Sequence, residues 1–343
     1  MLRIETGWLE AVATAERAAD LYPSLQGAIE LEHATIPVYL SALFSLKPGA
    51  MPAVRSILAA IARQEMLHMA IAANVLTALG GAPKMTGPDF VPSYPGHLPM
   101  NINGSLVVHL GPLTLARIRD EFLEIEEPEH PLVFPSGLEA AVPFATIGQF
   151  YGALIARIRQ LDPASFSGDR SRQVADGRWF STNELFPIVD AASAERAIKV
   201  IVEQGEGTST TPLDEAGDVA HYYRFQEILH GRRLIVDRTI PEGFAYRGDA
   251  VPFDQTGVWN MVQDARLANY APGSRAAILC GAFNSVYTAL LNTLHAAFNG
   301  RPQALDRAMG IMFELKVVAS QLTETIDERT GKAAAPSFEY ARE

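Results

Sequence analysis

Two short runs, Glu65-Met66-Leu67-His68 and Asp218-Val219-Ala220-His221, each set a carboxylate and an imidazole three residues apart within a stretch of helical periodicity. On an α-helix, positions i and i+3 lie about 60° apart on one face, so both side chains can reach the same ion. Two such half-sites, far apart in the chain, serve one centre only if the helices that carry them face each other. A dimetal carboxylate site in a helical bundle takes a carboxylate-x-x-His pair from each of two helices and a further Glu from each of two others. The spacing therefore predicts a four-helix bundle with two more inward glutamates.

Periodicity places the first two helices at Pro23 to Leu46 and Ala53 to Leu79, the second closed by Gly80-Gly81 and Pro83. The connector around Lys47-Pro48-Gly49 is short, so the two pack antiparallel. Gly81 to Pro112 reads as a long ordered loop with a short strand between Met100 and His109. Further helices are expected from Leu113 to about Glu127, from about Ala145 to Leu161, from a cap at Asp190 or Ser193 to about Gly205, and from Asp218 to about Leu234. A Pro/Gly-rich loop over Pro241 to Gly257 leads to two last helices, Arg275 to Phe298 and Pro302 to Thr323, and the tail from Gly331 is expected on the surface or over a neighbouring element. The fold class is all-α: a metal-binding bundle over residues 1–235, with C-terminal helices over 236–343 packed on it as one continuous domain.

The helical wheel selects the remaining carboxylates. Glu32 falls within the apolar stripe of Leu25, Ile29, Ile36, Tyr39 and Leu43, whereas Glu30 points the opposite way, to solvent or a surface pair. A carboxylate in such a stripe is costly unless it is paired or metal-bound, so Glu32 needs a partner. Glu65 lies likewise among Leu58, Ile61, Met69 and Ala72, with His68 at the edge. The fourth carboxylate is sought in Glu203-Gln204-Gly205-Glu206, where Glu206 sits nearer the apolar stripe and Glu203 is its rival. Pro37 predicts a kink one turn beyond Glu32. Tyr39, two turns along the face of Glu32, can hydrogen-bond a ligand or fill the core, and Tyr222-Tyr223-Arg224-Phe225 can line a pocket or pack. Glu127/His130 and Glu227/His230 share the three-residue spacing but read as surface or packing pairs, as do His33, His97, His109 and His295.

Composition narrows the function class. With 343 residues, a net charge of −11 and a pI near 5.3, the chain offers no basic stripe for nucleic acid or anionic lipid. The lone Cys280 cannot form an intramolecular disulfide, the N-terminus carries no apolar signal segment, and the apolar run Ala276 to Leu291 falls short of a membrane span. A cytoplasmic protein with neither a nucleic-acid nor a membrane partner is expected, and a homo-oligomer is compatible with this reading.

Several runs together, Leu31-Glu32-His33-Ala34-Thr35-Ile36-Pro37, Gln64-Glu65-Met66-Leu67-His68-Met69, Thr146-Ile147-Gly148-Gln149-Phe150-Tyr151, Glu203-Gln204-Gly205-Glu206-Gly207 and Ala220-His221-Tyr222-Tyr223-Arg224-Phe225, resemble the ferritin-like iminophenylpyruvate dimer synthase family. The resemblance spans most of residues 20–235 and continues into the C-terminal helices. It implies a ferritin-like bundle with long loops, a metal site and oxidative chemistry; the namesake members couple two amino-acid-derived imines. It also leads one to expect Glu at position 218, where this chain has Asp. On this reading the protein is a non-haem dimetal oxidase or oxygenase that acts with dioxygen on a small, amino-acid-derived substrate. Carboxylate and imidazole ligands suit two non-haem iron ions, with manganese the alternative. Glu65 would bridge, Glu32 and His68 would complete one metal's shell, and Glu206 or Glu203, Asp218 and His221 would hold the other. Gln149, Gln204 and Tyr39 would orient ligands. The rivals are a metal-handling ferroxidase and a non-catalytic ferritin-like scaffold.

Overall fold

The computed structural model describes residues 6–101, 106–128, 147–166, 168–175, 177–208 and 211–341. The expected helix start at Ala145, Thr146 of the resembling runs, His130, part of the Met100 to His109 stretch and the chain's last two residues lie outside them.

A helix not anticipated from the sequence, α1 (Thr6–Thr14), precedes the central pair α2 (Tyr22–Phe44) and α3 (Pro52–Ala78). The pair is antiparallel: Tyr22 Oη donates to Leu79 O at 2.7 Å at one end, and Arg55 Nη2 donates to Leu46 O at 2.8 Å at the other. α2 is buried on almost every side, Leu25, Ile29, Leu31, Ala34, Val38 and Tyr39 included, so it is the inner helix of the molecule rather than a one-faced surface helix. It runs on through Pro37, and Tyr94 Oη donates to Ala34 O at 2.6 Å one turn before it.

The third bundle helix, α4, covers 115–125 and is capped by Thr114, whose Oγ1 accepts from Arg117 N at 3.0 Å. Its middle, Ile118–Phe122, is a π turn between two α turns. Such a turn inserts one residue into the helical register, and π turns are frequent at functional sites. The remaining helices are α5 (Ile147–Ile158), α6 (Ala191–Glu206), opened by a capping box of Asp190 and Ser193, and α7 (His221–His230).

Two expectations are corrected here. Helix α7 starts at His221, three residues later than expected, because the chain before it is held in a turn: Asp218 N donates to Asp214 Oδ1 at 2.8 Å and Leu213 bridges Val219. It also stops early, since Gly231 takes the left-handed conformation (φ 66°) that closes helices at low cost. The β-branched run beyond it forms β1 (Arg232–Val236), paired antiparallel with β2 (Phe244–Ala250). This hairpin is a small addition to a mostly helical fold. Glu227, buried on α7, anchors it by accepting from Leu234 N at 2.9 Å and Arg233 Nη1 at 2.6 Å, and His230 stacks on Tyr246 with ring centroids 4.2 Å apart.

The C-terminal helices α8 (Arg275–Phe298) and α9 (Ala304–Thr323) pack on each other and lean on α2 and α3. α8 is longer than the apolar run picked out in the sequence; its 24 residues and a windowed mean hydropathy of 1.3 would suffice for a membrane span by length and composition. In the fold it delivers Phe283, Tyr287, Leu291 and Phe298 to the core. The tail over 333–338 is buried rather than superficial: Phe338 meets Phe283 and Tyr287 edge-on at 4.8 and 5.3 Å.

Candidate metal centre

Five buried side chains converge between α2, α3, α4 and α7. Glu32, Glu65 and His68 form one triad and Glu65, Glu126 and His221 a second, with the donor atoms of each triad within 4.8 Å of one another. Glu65 belongs to both. Its Oε1 stands 3.8 Å from His68 Nδ1 and 2.9 Å from His221 Nδ1. Glu32 Oε2 lies 3.4 Å from His68 Nδ1, and Glu126 Oε2 lies 3.5 Å from His221 Nδ1. The two imidazoles stack, centroids 5.5 Å apart. The arrangement is nearly symmetric about Glu65.

The outward oxygen of every carboxylate is taken by a hydroxyl. Tyr151 donates to Glu32 Oε1, Tyr39 to Glu126 Oε1, and Thr35 to Glu65 Oε2 at 2.7 Å. Both phenols are pushed well above their ordinary range by burial and by the carboxylate beside them, so they remain donors. The inward oxygens are thereby turned to the centre.

The imidazoles are oriented in the same way. His68 Nε2 lies 3.1 Å from Gln204 Oε1, whose amide nitrogen donates to Glu184 Oε1 at 2.7 Å. An amide that spends its N–H on a carboxylate can only accept from His68, so Nε2 carries the hydrogen and Nδ1 is left with a lone pair. His221 Nε2 lies 3.2 Å from Gln64 Oε1, which also accepts from Arg224 Nη1 at 3.0 Å. Here a cation fixes the amide oxygen as the acceptor, so His221 Nε2 likewise carries a hydrogen. Metal-ligating histidines are held by such outer hydrogen bonds.

Chemistry and burial test whether cations fit. His221 Nδ1 is wholly buried, yet despite its short distances to Glu65 and Glu126 it has hydrogen-bonding geometry to neither. Burial disfavours its charged form, but Glu126 and Glu65 outweigh that and hold the imidazole up at about 9. Burial, then Glu126, raises the Glu65 carboxyl. Three buried carboxylates around two imidazoles are stable only if protons or metal ions neutralise them. The inward-facing oxygens and nitrogens suit divalent cations, whose binding would release the proton held there.

Of the residues proposed from the sequence, the fold gathers Glu32, Glu65, His68 and His221 in the two triads and sets Tyr39 and Gln204 in hydrogen-bonding contact with them. The others fall elsewhere. Glu206 lines the small cavity beside the triads without joining either: its Oε1 accepts from Gly148 N at 2.8 Å at the start of α5, where any Cβ would collide with the carboxylate. Glu203 accepts from Glu215 N at 3.2 Å, and Asp218, with its side chain 68% exposed, lies 4.0 Å from Arg224. Because Asp218 precedes α7, the i, i+3 argument does not apply to it. Gln149 sits in the first turn of α5, between the cavity-lining Ile147 and Tyr151. His33 turns to the C-terminal helices, with Nε2 2.7 Å from Tyr287 Oη and its ring stacked on Phe90.

Glu126 is the carboxylate that sequence reasoning missed. It follows the buried Ile118, Phe122 and Ile125 of α4 and stands four residues after Phe122, the signal that singled out Glu32. Gln64, Thr35 and Tyr151 lie within the runs that resemble the family, and their spacing carries no signal that marks them as partners of the triads. Glu121, also buried on α4, is occupied by Arg117 Nε at 2.9 Å and His109 N at 2.9 Å.

The triads open on a cavity of about 40 Å³, enough for a few water-sized groups. It shares Val202 and Glu206 with an outer cleft of about 310 Å³ bounded by Pro128, Gly152, Ile155 and Lys199.

The fold agrees with comparisons to known proteins. A ferritin-like protein from Caulobacter vibrioides, known from its crystal structure, superposes with a TM-score of 0.59, covering 94% of this chain and 97% of its own at 24% identity. Dichlorochromopyrrolate synthase of Lentzea aerocolonigenes is 26% identical over 317 residues, 83% of this chain; the chain spans only about 30% of that relative's length. The family model described as Ferritin-like matches residues 25–230, which includes every member of both triads, and the chain belongs to the ferritin-like family.

Proposed function

We propose that the protein is a non-haem dimetal oxidase or oxygenase acting with dioxygen on a small organic substrate, with two iron ions as its resident metals. The observation that carries this reading is the pair of triads joined through Glu65, each with one imidazole Nδ1 and one further carboxylate oxygen directed inward. Redox-active metal ions bound there would supply the one-electron steps that dioxygen chemistry requires. The chain's own contribution is positional: Tyr39, Tyr151 and Thr35 hold the carboxylates, Gln64 and Gln204 hold the imidazoles, and the apolar walls Leu31, Ile125 and Ile201 limit water. The inner cavity suits metal ions and dioxygen, whereas the outer cleft has the volume for an organic substrate. Glu206 stands at the threshold between them. A relative that is a synthase supports a biosynthetic substrate, and the resemblance in the sequence runs favours an amino-acid-derived one.

Anaerobic reconstitution with ferrous iron, followed by metal analysis and dioxygen uptake, tests the reading. Two irons per chain and stoichiometric consumption of dioxygen are expected. No stoichiometric metal after reconstitution would refute it, and growth of a ferric mineral core would replace the oxidase with an iron-handling protein.

A further inference from the structure

A second cavity of about 310 Å³ lies between the α2/α3 pair and the α8/α9 pair, and among the described residues it shares no lining residue with the cavity at the triads. Met66 and Met69, each one position beyond a triad residue, line it, as does His33 beside Glu32; one step along a helix turns about 100°, so the cavity occupies the adjacent face of the same two helices. Its wall is otherwise aliphatic and aromatic. Three polar features interrupt it. Arg63 and Lys316, both exposed, stand at the rim from α3 and α9, and among the described residues neither has an ion-pair partner. Among the described residues no carboxylate lines the cavity, although the chain as a whole carries a net charge of −11. Inside, His33 donates to or accepts from Tyr287 through Nε2, and among the described residues its buried Nδ1 has no hydrogen-bond partner.

From these features we infer that the cavity is a binding site for an amphipathic monocarboxylate, with its apolar tail among the helices and its carboxylate between Arg63 and Lys316. Two unpaired cations at the rim of an apolar chamber select an anionic head over a cationic or neutral one, and the chamber selects a tail without charges. Both acyl and aryl tails have this chemistry.

Isothermal titration of the full chain with dodecanoate, naphthalene-2-carboxylate and dodecyltrimethylammonium, all below micellar concentrations, tests the assignment. Saturable binding of one carboxylate per chain is expected, with the tighter of the two identifying the tail, and with the ammonium compound at least tenfold weaker. The double substitution Arg63→Glu, Lys316→Glu changes exposed side chains only; it should weaken carboxylate binding at least tenfold and improve that of the ammonium compound. Ala308→Phe, which fills the chamber from α9, should abolish both. Absence of saturable carboxylate binding, equal affinity for the cationic amphiphile, or affinity unchanged by the charge reversal would overturn the inference. Because the readout is binding, the result is independent of metal content and of any oxidase activity.

Discussion

At the scale of single residues, the centre is decided by which oxygen or nitrogen of each side chain is already spent. Tyr39 and Tyr151 each occupy one carboxylate oxygen, and the two glutamines occupy the Nε2 of each imidazole, so what remains faces inward. Glu126→Ala should therefore cost one metal ion per chain and Glu65→Ala both, whereas Glu203→Ala and Asp218→Ala should leave occupancy unchanged; metal analysis of the purified variants distinguishes these outcomes. Gln204→Leu removes the acceptor that holds His68 in its Nδ1-free tautomer. A loss of 10- to 100-fold in metal affinity is expected there, of the order usual for outer partners of ligating histidines. Equal affinity in a competition assay against a chelator would show that the tautomer is set by something else. Glu32, Glu65 and His68 were legible in the sequence because burial and helical phase agree at those positions. Glu126 obeys the same rule but lies beside Glu127 and a proline, where the three-residue spacing of Glu127 to His130 is the more visible pattern.

Helices α2 and α3 are legible in the sequence because each is a run of more than twenty residues without an internal glycine-proline pair, bounded by Lys47-Pro48-Gly49 and Gly80-Gly81. Element α7 is different. Its ends are set by the Asp214 to Asp218 turn on one side and by Gly231 on the other, and its last turn serves the hairpin. The apolar and polar residues of 231–236 fit a helical pattern as well as a strand, so only pairing with β2 resolves them. Glu227→Ala leaves Leu234 N buried without its acceptor and frees Arg233. A destabilisation of about 1–3 kcal/mol is predicted, readable in denaturant unfolding. If the loss is confined to the hairpin, hydrogen exchange of β1 and β2 will quicken while that of α2 and α3 stays slow.

For the whole molecule, the C-terminal segment closes the structure. Phe338 sits against Phe283 and Tyr287, and Ser337 Oγ lies 3.2 Å from Cys280 Sγ on α8. Burial pushes the Cys280 thiol up to about 11, with the Ser337 contact acting in the opposite sense. The folded thiol keeps its proton above the unfolded value of 9.0, so its contribution to stability is complete below about 9 and is lost as the pH rises through about 11. Alkaline unfolding of Cys280→Ala should accordingly show a shallower dependence over that window than the unsubstituted chain. Phe338→Ala removes a fully buried aromatic, at a cost of about 3–5 kcal/mol. It should also speed alkylation of Cys280, because the residue that covers it is loosened; labelling as slow as in the parent chain would mean that the tail is not what shields the thiol.

Periodicity and the apolar stripes suffice to specify the helical bundle and to single out Glu32 and Glu65, since a carboxylate in an apolar stripe announces a partner whatever the fold around it. The tertiary structure alone decided that Glu126 completes the second triad, while Glu206 caps α5, Glu203 binds a loop and Asp218 stays in water. Those choices depend on where helices begin and on a π turn that shifts the register of α4. Such boundaries are settled by hydrogen bonds and packing between segments distant in the chain, which periodicity does not record.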